Sequence, residues 1–409
     1  MTNSPQPVAV SGLGLVTPAG IGVESSWAGV LAGDSTASQD PALAEIGVTI
    51  SCRVPGFDAD ALLGRKAAKR LDRFVQLALV AAREAVADAE LDPQSWDGAR
   101  VGVVMGCGMG GAATWEQQHA RMLADGAGRV SPLLIPMLVP NMVAGHLAIE
   151  FGATGPNLVT ATACASGATA IGVARDLLRS GACDIVLTGG TEAGVTPLSI
   201  AGFAQMGALS RRNDDPAAAS RPFDVDRDGF VAAEAAGVLV LEKVSDAAAR
   251  RHRPRALLAG YGASADGHHI TAPDPEGAGA SRAMRTAIAD AGLSPADITH
   301  VNAHGTSTPL NDVAEARTIR SVLGDNTSVT STKGVTGHAL GAAGAIEAAF
   351  TVLTVQHGLI PPTANLDSQD PQVEIDVVAK APREQRVNAA MSDSFGFGGQ
   401  NAVLIVTSA

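Results

Sequence analysis

The chain is poor in aromatics, has no excess of basic charge, no closely spaced cysteine pair and no long apolar run. Each shortage closes off a class of function. Aromatic residues make up 3% of the sequence against 46 glycines, so the interior has to be built from small side chains that let helices and strands approach closely. Basic residues number 29 against 41 acidic ones, a formal net charge of −12, which argues against a nucleic-acid binder and its basic footprint. The four cysteines, Cys52, Cys107, Cys164 and Cys183, are widely spaced and signal neither a disulfide framework nor a zinc cluster. A reducing cytoplasm is the expected compartment. No uninterrupted apolar run reaches the roughly 18 residues that span a bilayer. The opening segment, MTNSPQPVAVSGLG, lacks the basic-then-apolar order of a signal peptide, so no membrane association is expected. Hydrophobic residues make up 46% of the 409, enough for a large core, and the length alone suggests two or three domains.

What is present is an alternation of short β-rich runs with Ala-rich helical stretches. VAVSGLG (8–14) reads as a first strand entering a Gly-rich turn, and residues 66–90 carry apolar residues at helical spacing with charges between them. RVGVVMGCG (100–108), NLVTATA (157–163) and CDIVLTGG (183–190) read as buried strands. The second of these runs into a small-residue helix at about 165–180. This alternation predicts an α/β fold with largely buried sheets. A weak internal repeat accompanies it. VAVSGLGLVTP resembles ALLAGYGASAD (256–266), CASGATAIGVA (164–174) resembles HALGAAGAIEA (338–348), and AGVLVLEKV (236–244) resembles NAVLIVTSA (401–409). Two similar halves, 1–250 and 251–409, are therefore expected, joined by the charged connector AAARRHRPRA and pairing their sheets around one core.

Three segments carry candidate chemistry. Cys164 lies in TATACASGATA, between an apolar strand and a Gly/Ala-rich helix. A thiol at a helix N-terminus meets the positive end of the dipole, which stabilises thiolate. A buried, inert cysteine would sit in similar surroundings. Cys107, in MGCGMGG, has a less defined helix start, and Cys52 and Cys183 read as structural. His304 ends the strand THVNA and opens the hydroxyl-rich loop HGTSTPLND. Loops at strand ends are where α/β folds place chemistry. His338, in STKGVTGHALGAAGAIEAA, takes the helix-start position of the second half that Cys164 takes in the first. A pseudo-twofold axis would turn both to one cleft, with Lys333 supplying charge nearby. A loop histidine satisfied by backbone groups is the competing explanation for His304, and a helix-capping histidine is that for His338. The segment SDSFGFGGQNAVLIV (392–406) sets two phenylalanines among three glycines and can present backbone N–H groups to an oxyanion.

Two motifs mislead. SGLGLVT opens like a dinucleotide fingerprint, but its third glycine is missing and no acidic residue follows about 20 residues on. DVDRDGFVAAE (224–234) imitates a calcium loop, yet Gly229 and Glu234 are separated by four residues where an EF-hand has five. No metal is expected.

Taken together, ACASG around Cys164, NAHGTSTPLND around His304, K-x-x-x-G-H at Lys333 and His338, SFGFGGQNA, and RNDDPAAASRPFDVDRDGFV (212–231) resemble the β-ketoacyl-acyl carrier protein synthases, especially the elongating type II enzymes. The resemblance spans nearly the whole chain. It implies a thiolase fold of five layers, αβαβα, built from two similar halves, and a homodimer. The implied activity is an acyltransferase reaction, the decarboxylative Claisen condensation of an acyl thioester with malonyl-carrier protein in fatty acid elongation. Cys164 would carry the acyl chain. His304 and His338 would hydrogen-bond the malonyl thioester oxygen, and Lys333 would tune the site. Thr306 and Thr308 would contact the phosphopantetheine arm. Phe397 would act as a gate, its N–H joining that of Cys164 as the oxyanion hole. Glu315 matches a buried acid near the histidine loop. Met109, Leu134, Phe203 and Phe395 match substrate-pocket positions. Arg65, Lys66, Lys69, Arg70, Arg129, Arg211 and Arg212 would dock an acidic acyl carrier protein. No cofactor is implied beyond the substrates' own phosphopantetheine.

The chain departs from the family pattern in places. AEAAG (233–237) stands where G-E-G-A-G is frequent, Gly334 and Val335 follow Lys333 in place of Ser-Met, Leu133 and Leu134 replace aromatics, and Met109 replaces a branched aliphatic residue. A roomier or differently shaped acyl pocket is the expectation. The nearest rival reading is a ketosynthase subunit of a type II polyketide or polyene synthase, paired with a chain-length factor. A degradative thiolase would need a second cysteine in the C-terminal glycine loop, and a type III synthase uses Cys-His-Asn. A non-catalytic chain-length factor would lack the nucleophile.

Overall fold

The computed structural model describes residues 7–409. Its principal strands are β1 (Val8–Thr17), β2 (Val101–Gly106), β3 (Asn157–Thr160), β4 (Ile185–Glu192), β5 (Ala235–Lys243), β6 (Ala256–Ala265), β7 (His300–Asn302), β8 (Ser328–Thr330), β9 (Asp376–Val377), β10 (Ala389–Gly396) and β11 (Gln400–Thr407). They join in the order β9-β8-β7-β10-β11-β6-β1-β5-β4-β2-β3. From the short antiparallel seam between β1 and β6, each side reads outward in the same way. Two antiparallel pairings come first, β1–β5–β4 on one side and β6–β11–β10 on the other. Two parallel pairings follow, β4–β2–β3 and β10–β7–β8.

The helices that matter are α1 (Arg73–Asp88), α2 (Ala112–Asp125), α3 (Leu134–Leu138), α4 (Met142–Phe151), α5 (Ser166–Arg179), α6 (Pro197–Gln205), α7 (Ala278–Asp290), α8 (Pro309–Leu323) and α9 (Ala343–His357). Helices α5 and α9 touch strands of both sides and form the middle layer. Helices α1 and α4 cover one outer face through Phe74, Leu77, Ala81, Val143 and Leu147. Helices α7 and α8 cover the other through Met284, Ile288, Ala316 and Ile319. The result is the five-layered αβαβα thiolase fold.

Small residues make this stack possible. Helix α9 is buried from Ala343 to Val355 on every side, as a helix enclosed by two sheets and a neighbouring helix must be. A β-carbon on Gly167 of α5 would stand 2.8 Å from the Ala345 nitrogen of α9, and one on Gly344 would stand 2.9 Å from Ala168. The glycines of β1 serve the same end. The strand does not stop at Gly14 for a turn but runs on to Thr17. Gly12 and Gly14 lie within it because α1 presses on them: their β-carbons would sit 2.1 Å and 1.8 Å from the carbonyl oxygens of Ala85 and Ala81. The single helix expected over 66–90 is divided. A short turn spans Arg65–Ala68, and α1 starts afresh at Arg73 behind Asp72, whose carboxylate accepts the Phe74 N–H at 3.4 Å.

Replacing Gly14 by Val should cost about 3 kcal/mol, because the new atoms meet helix backbone rather than a movable side chain. Gly128→Ala, whose added carbon meets nothing within 4 Å, should leave the urea midpoint in place. Equal midpoints for the two variants would contradict this account of the layer spacing.

Candidate active site

Strand β3 ends at Thr160 because the chain then turns sharply. Ala163 takes φ +48°, a conformation that side-chain-bearing residues rarely adopt, and a tight turn over Ala163–Ala165 delivers Cys164 to the start of α5. Ser166 fixes the turn: its hydroxyl donates to the Ala163 carbonyl at 2.6 Å and accepts the Thr162 N–H at 2.9 Å. Gly396, at the end of β10, lets the β10–β11 hairpin reach this elbow, since a β-carbon there would stand 2.5 Å from the Thr162 carbonyl oxygen. The hairpin tip thereby brings the Phe397 N–H to the Cys164 sulfur as a donor.

His304 follows β7 on a loop with two left-handed residues, Gly305 at φ +36° and Ser307 at φ +68°. Glu315 of α8 holds the loop, accepting the N–H of His304 at 2.6 Å and of Gly305 at 2.7 Å. His338 is placed differently from the expectation. Helix α9 begins at Ala343 after a turn over Leu340–Ala342, and Leu340 has φ +47°. By that register Leu340 is the counterpart of Ala163, and Gly341 of Cys164. His338 stands before the turn and is pinned as a strand would be. Its N–H donates to Val231 at 2.8 Å and its carbonyl accepts from Ala233 at 3.0 Å. The edge of Phe230 packs against its ring, the centroids 5.2 Å apart.

Lys333 is buried behind the histidines and contacts the carboxylate of Glu347, which projects from the middle of α9. Its ammonium lies 3.5 Å from Nδ1 of His304. An ammonium only donates, so Nδ1 is the acceptor and the ring proton sits on Nε2, which leaves Nε2–H to face the cavity. The two rings meet edge to face at 5.3 Å. Burial, and then the Lys333 charge, hold both imidazoles well below the usual histidine range, so both are neutral. Burial pushes Glu315 and Glu347 up to about 7. It also raises Asp393 well above the carboxylate range, with Glu315 and Glu347 adding to the effect. Cys164 is pushed up to about 11 by burial, against the opposing pull of Lys333 and the Phe397 N–H. Desolvation thus opposes the thiolate that the helix start, Lys333 and the Phe397 N–H favour.

The thiol sulfur and an imidazole nitrogen from each histidine lie within 4.8 Å of one another. By donor type this set suits a divalent cation, but the Lys333 ammonium directly behind His304 opposes one. The three open into a cavity of about 380 Å³ that Thr306, Thr308, Glu315, Phe203, Phe395 and Phe397 also line. Thus nine of the residues singled out by sequence converge on one cavity. Four sites fall elsewhere or differ in detail. Lys333 backs the cavity without lining it, and Met109 does not line it either, its Cε lying with Leu340 Cδ1 against Gly194. Leu134 lies half-exposed on α3 and is not among the residues that line this cavity of the single chain. Arg212 is half-buried and donates to the Asp226 carbonyl at 2.6 Å with Asp228 beside it. Arg65, Lys66, Lys69, Arg70, Arg129 and Arg211 are exposed.

Sequence reasoning missed Glu347, Glu192 and Phe230. Glu347 was visible as a lone acid in a run of small helical residues. Glu192, fully buried at the end of β4, accepts the N–H groups of Gly108, Met109 and Gly341 and so links the two sides of the site. The false calcium loop proves to be a brace. Arg227 donates to the carbonyls of Thr308 and Pro309, and Gly229 donates to that of Ser307 at 3.0 Å.

Comparison with known proteins agrees with this geometry. The family model for the beta-ketoacyl synthase N-terminal domain matches residues 5–247, and that for the C-terminal domain matches 255–367. Two curated relatives carry the name 3-oxoacyl-[acyl-carrier-protein] synthase 2. The one from Synechocystis sp. is 46% identical over 404 residues, with 97% of each chain covered. The one from Staphylococcus aureus is 43% identical over 403 residues, with the same coverage. Among solved structures, a beta-ketoacyl synthase from Burkholderia phymatum superposes with a TM-score of 0.93 at 33% identity, covering 99% of this chain and 100% of that one. A type II polyketide ketosynthase, solved with its acyl-carrier protein and bound to a hexaketide, gives 0.92 at 32% identity with the same coverage. Among the described residues no helix is long and apolar enough to cross a membrane. With both family models matched in order and relatives aligned over 97% of its length, this chain belongs to the β-ketoacyl synthase family.

Proposed function

We propose that the protein is a β-ketoacyl-acyl carrier protein synthase that condenses an acyl group held on Cys164 with malonyl-carrier protein in fatty acid elongation. The observation that carries this reading is the grouping of one thiol and two neutral imidazoles within 4.8 Å, with a backbone N–H on the sulfur. In the first half-reaction the Cys164 sulfur attacks the acyl thioester. A neutral imidazole takes the thiol proton and returns it to the departing carrier thiolate. The N–H groups of Cys164 and Phe397 hold the developing oxyanion. In the second, malonyl-carrier protein loses CO2, and Nε2–H of His304 with Nε2–H of His338 stabilises the enolate oxygen. The enolate carbon attacks the acyl carbonyl, the C–S bond to Cys164 breaks, and the thiolate regains a proton from solvent. Thr306 and Thr308, whose hydroxyls lie 2.9 Å apart on the cavity wall, would contact the pantetheine arm. No resident metal or redox group is needed, since the electron pair for the new bond comes from the broken C–C bond.

Two halves, 1–250 and 251–409, are supported by the strand order, which repeats outward from β1 and β6. The carrier would meet the exposed basic set Arg65, Lys66, Lys69, Arg70, Arg129 and Arg211. A second subunit is expected on the open edge of β3. Leu158 on that strand is 45% exposed, and Trp115 and Leu123 of α2 and Ile135 of α3 are 49%, 71% and 59% exposed. A homodimer is the first reading. A polyketide ketosynthase paired with a chain-length factor is the second, favoured by the solved ishigamide ketosynthase/chain length factor at a TM-score of 0.91 and 35% identity.

Intact-mass measurement after incubation with acyl-carrier proteins should give adducts on the wild type and none on Cys164→Ala. His304→Ala and His338→Ala should still acylate but lose malonyl decarboxylation on the order of 10²–10³-fold. Loss of acylation with decarboxylation intact would reverse the assignment. Because the Cys164 thiol lies at about 11, its alkylation by iodoacetamide should rise about tenfold per pH unit through the neutral range without a plateau. Lys333→Ala removes a charge that lowers this value, so the variant should react more slowly at every such pH. A plateau near pH 7 would contradict a thiol at about 11. Native mass should give twice the chain mass for the wild type and the monomer for Leu158→Asp. A wild type that is monomeric until a second, different chain is added would favour the polyketide reading.

A further inference from the structure

Gly194, two residues beyond β4, is a glycine for space and not for conformation, since its φ lies outside the left-handed region. A β-carbon there would stand 1.9 Å from Met109 Cε, 3.6 Å from Met109 Sδ and 3.5 Å from Leu340 Cδ1. The terminal methyl of Met109 thus fills the volume that a side chain at 194 would take. The Ser199 hydroxyl, 3.9 Å from the sulfur, closes the niche from α6. The Met109 backbone has no freedom, because its N–H donates to Glu192 at 3.1 Å beside those of Gly108 and Gly341. Only its side chain can move, and methionine has three rotatable bonds.

Leu340 belongs to both places, lining the cavity with Cys164 and Phe203 while its Cδ1 meets the Gly194 niche. Of the cavity's lining, Leu310 is 67% exposed and Thr271 and Pro273 are half-buried, whereas Leu340 is buried, so on the proposed reading a pantetheine arm would enter past Leu310. An acyl chain on Cys164 would then run the other way, past Phe203 and Leu340, toward the niche at Gly194 that holds the Met109 methyl. We propose that Gly194 sets the acyl length that Cys164 accepts, by giving the Met109 methyl a niche outside the acyl path. This rests on the reading of Cys164 as the acyl carrier. With any side chain at 194, the methyl swings into the path and shortens it.

The test is the acylation rate of Cys164, read by intact mass with saturated acyl-carrier proteins of graded length. The variants are Gly194→Ala, Met109→Ala and the double variant, with thermal midpoints recorded for each. The clash at 194 is with the free end of a side chain, so Gly194→Ala should fold. Its ratio of long-chain to short-chain acylation should fall at least about tenfold, the scale on which one methyl group in an apolar pocket discriminates. Adding Met109→Ala to Gly194→Ala should restore the ratio, and Met109→Ala alone, which removes a group already outside the path, should leave the ratio at its wild-type value. An unchanged ratio in Gly194→Ala overturns the inference, as does a double variant no better than the single one. Wild-type protein that takes no adduct from any donor overturns the Cys164 reading and this inference with it, whereas normal adducts with an unshifted profile overturn this inference alone.

Discussion

The site depends on one buried ammonium. Lys333 has 1% of its surface exposed and sits between the carboxylate of Glu347 and Nδ1 of His304. Burying a charge is costly unless it is paired, and Glu347 supplies that pairing from the middle of α9. Once held, the ammonium acts on everything around it. It fixes the tautomer of His304, depresses both imidazoles further than burial alone, and pulls the Cys164 thiol down against desolvation. Neutral imidazoles are what an enolate needs, because they donate a hydrogen bond without giving the malonyl carboxylate a competing ion partner.

The fold exists to bring that ammonium and the thiol together. Glu347 can reach Lys333 only because α9 is buried between the sheets, and α9 fits there only because Gly167, Gly344 and their alanine neighbours let it lie against α5. The thiol arrives by one strained turn, at Ala163, and the matching turn at Leu340 leaves Gly341 where a second nucleophile would stand. Gly341 instead gives its N–H to Glu192, which ties the loop bearing Met109 to the start of α9. The duplicated architecture thus carries unlike chemistry on its two sides.

Much of this was legible in the sequence. The motifs around Cys164, His304, His338 and Phe397 announced residues that the fold then brings to one cavity, and the alternation of strands and helices announced an α/β fold. Three kinds of information were not legible. Gly12 and Gly14 read as a turn, because sequence does not distinguish a glycine needed for a bend from one needed under a helix. His338 seemed to match Cys164, because Ala/Gly repeats align equally well in neighbouring registers and only the φ of Leu340 fixes the offset. Leu134 reads as a pocket residue, yet it does not line the cavity of the single chain, and sequence does not say which subunit's wall a residue of α3 completes.

The most direct test of the Lys333 account is the ionisation of the two histidines, read from imidazole 15N shifts in selectively labelled protein between about pH 5 and 8. The account predicts neutral rings for His304 and His338 throughout, with the His304 proton on Nε2. In Lys333→Ala the His304 ring should lose that fixed tautomer. An imidazolium at either position titrating near the ordinary histidine value in the wild type would contradict it.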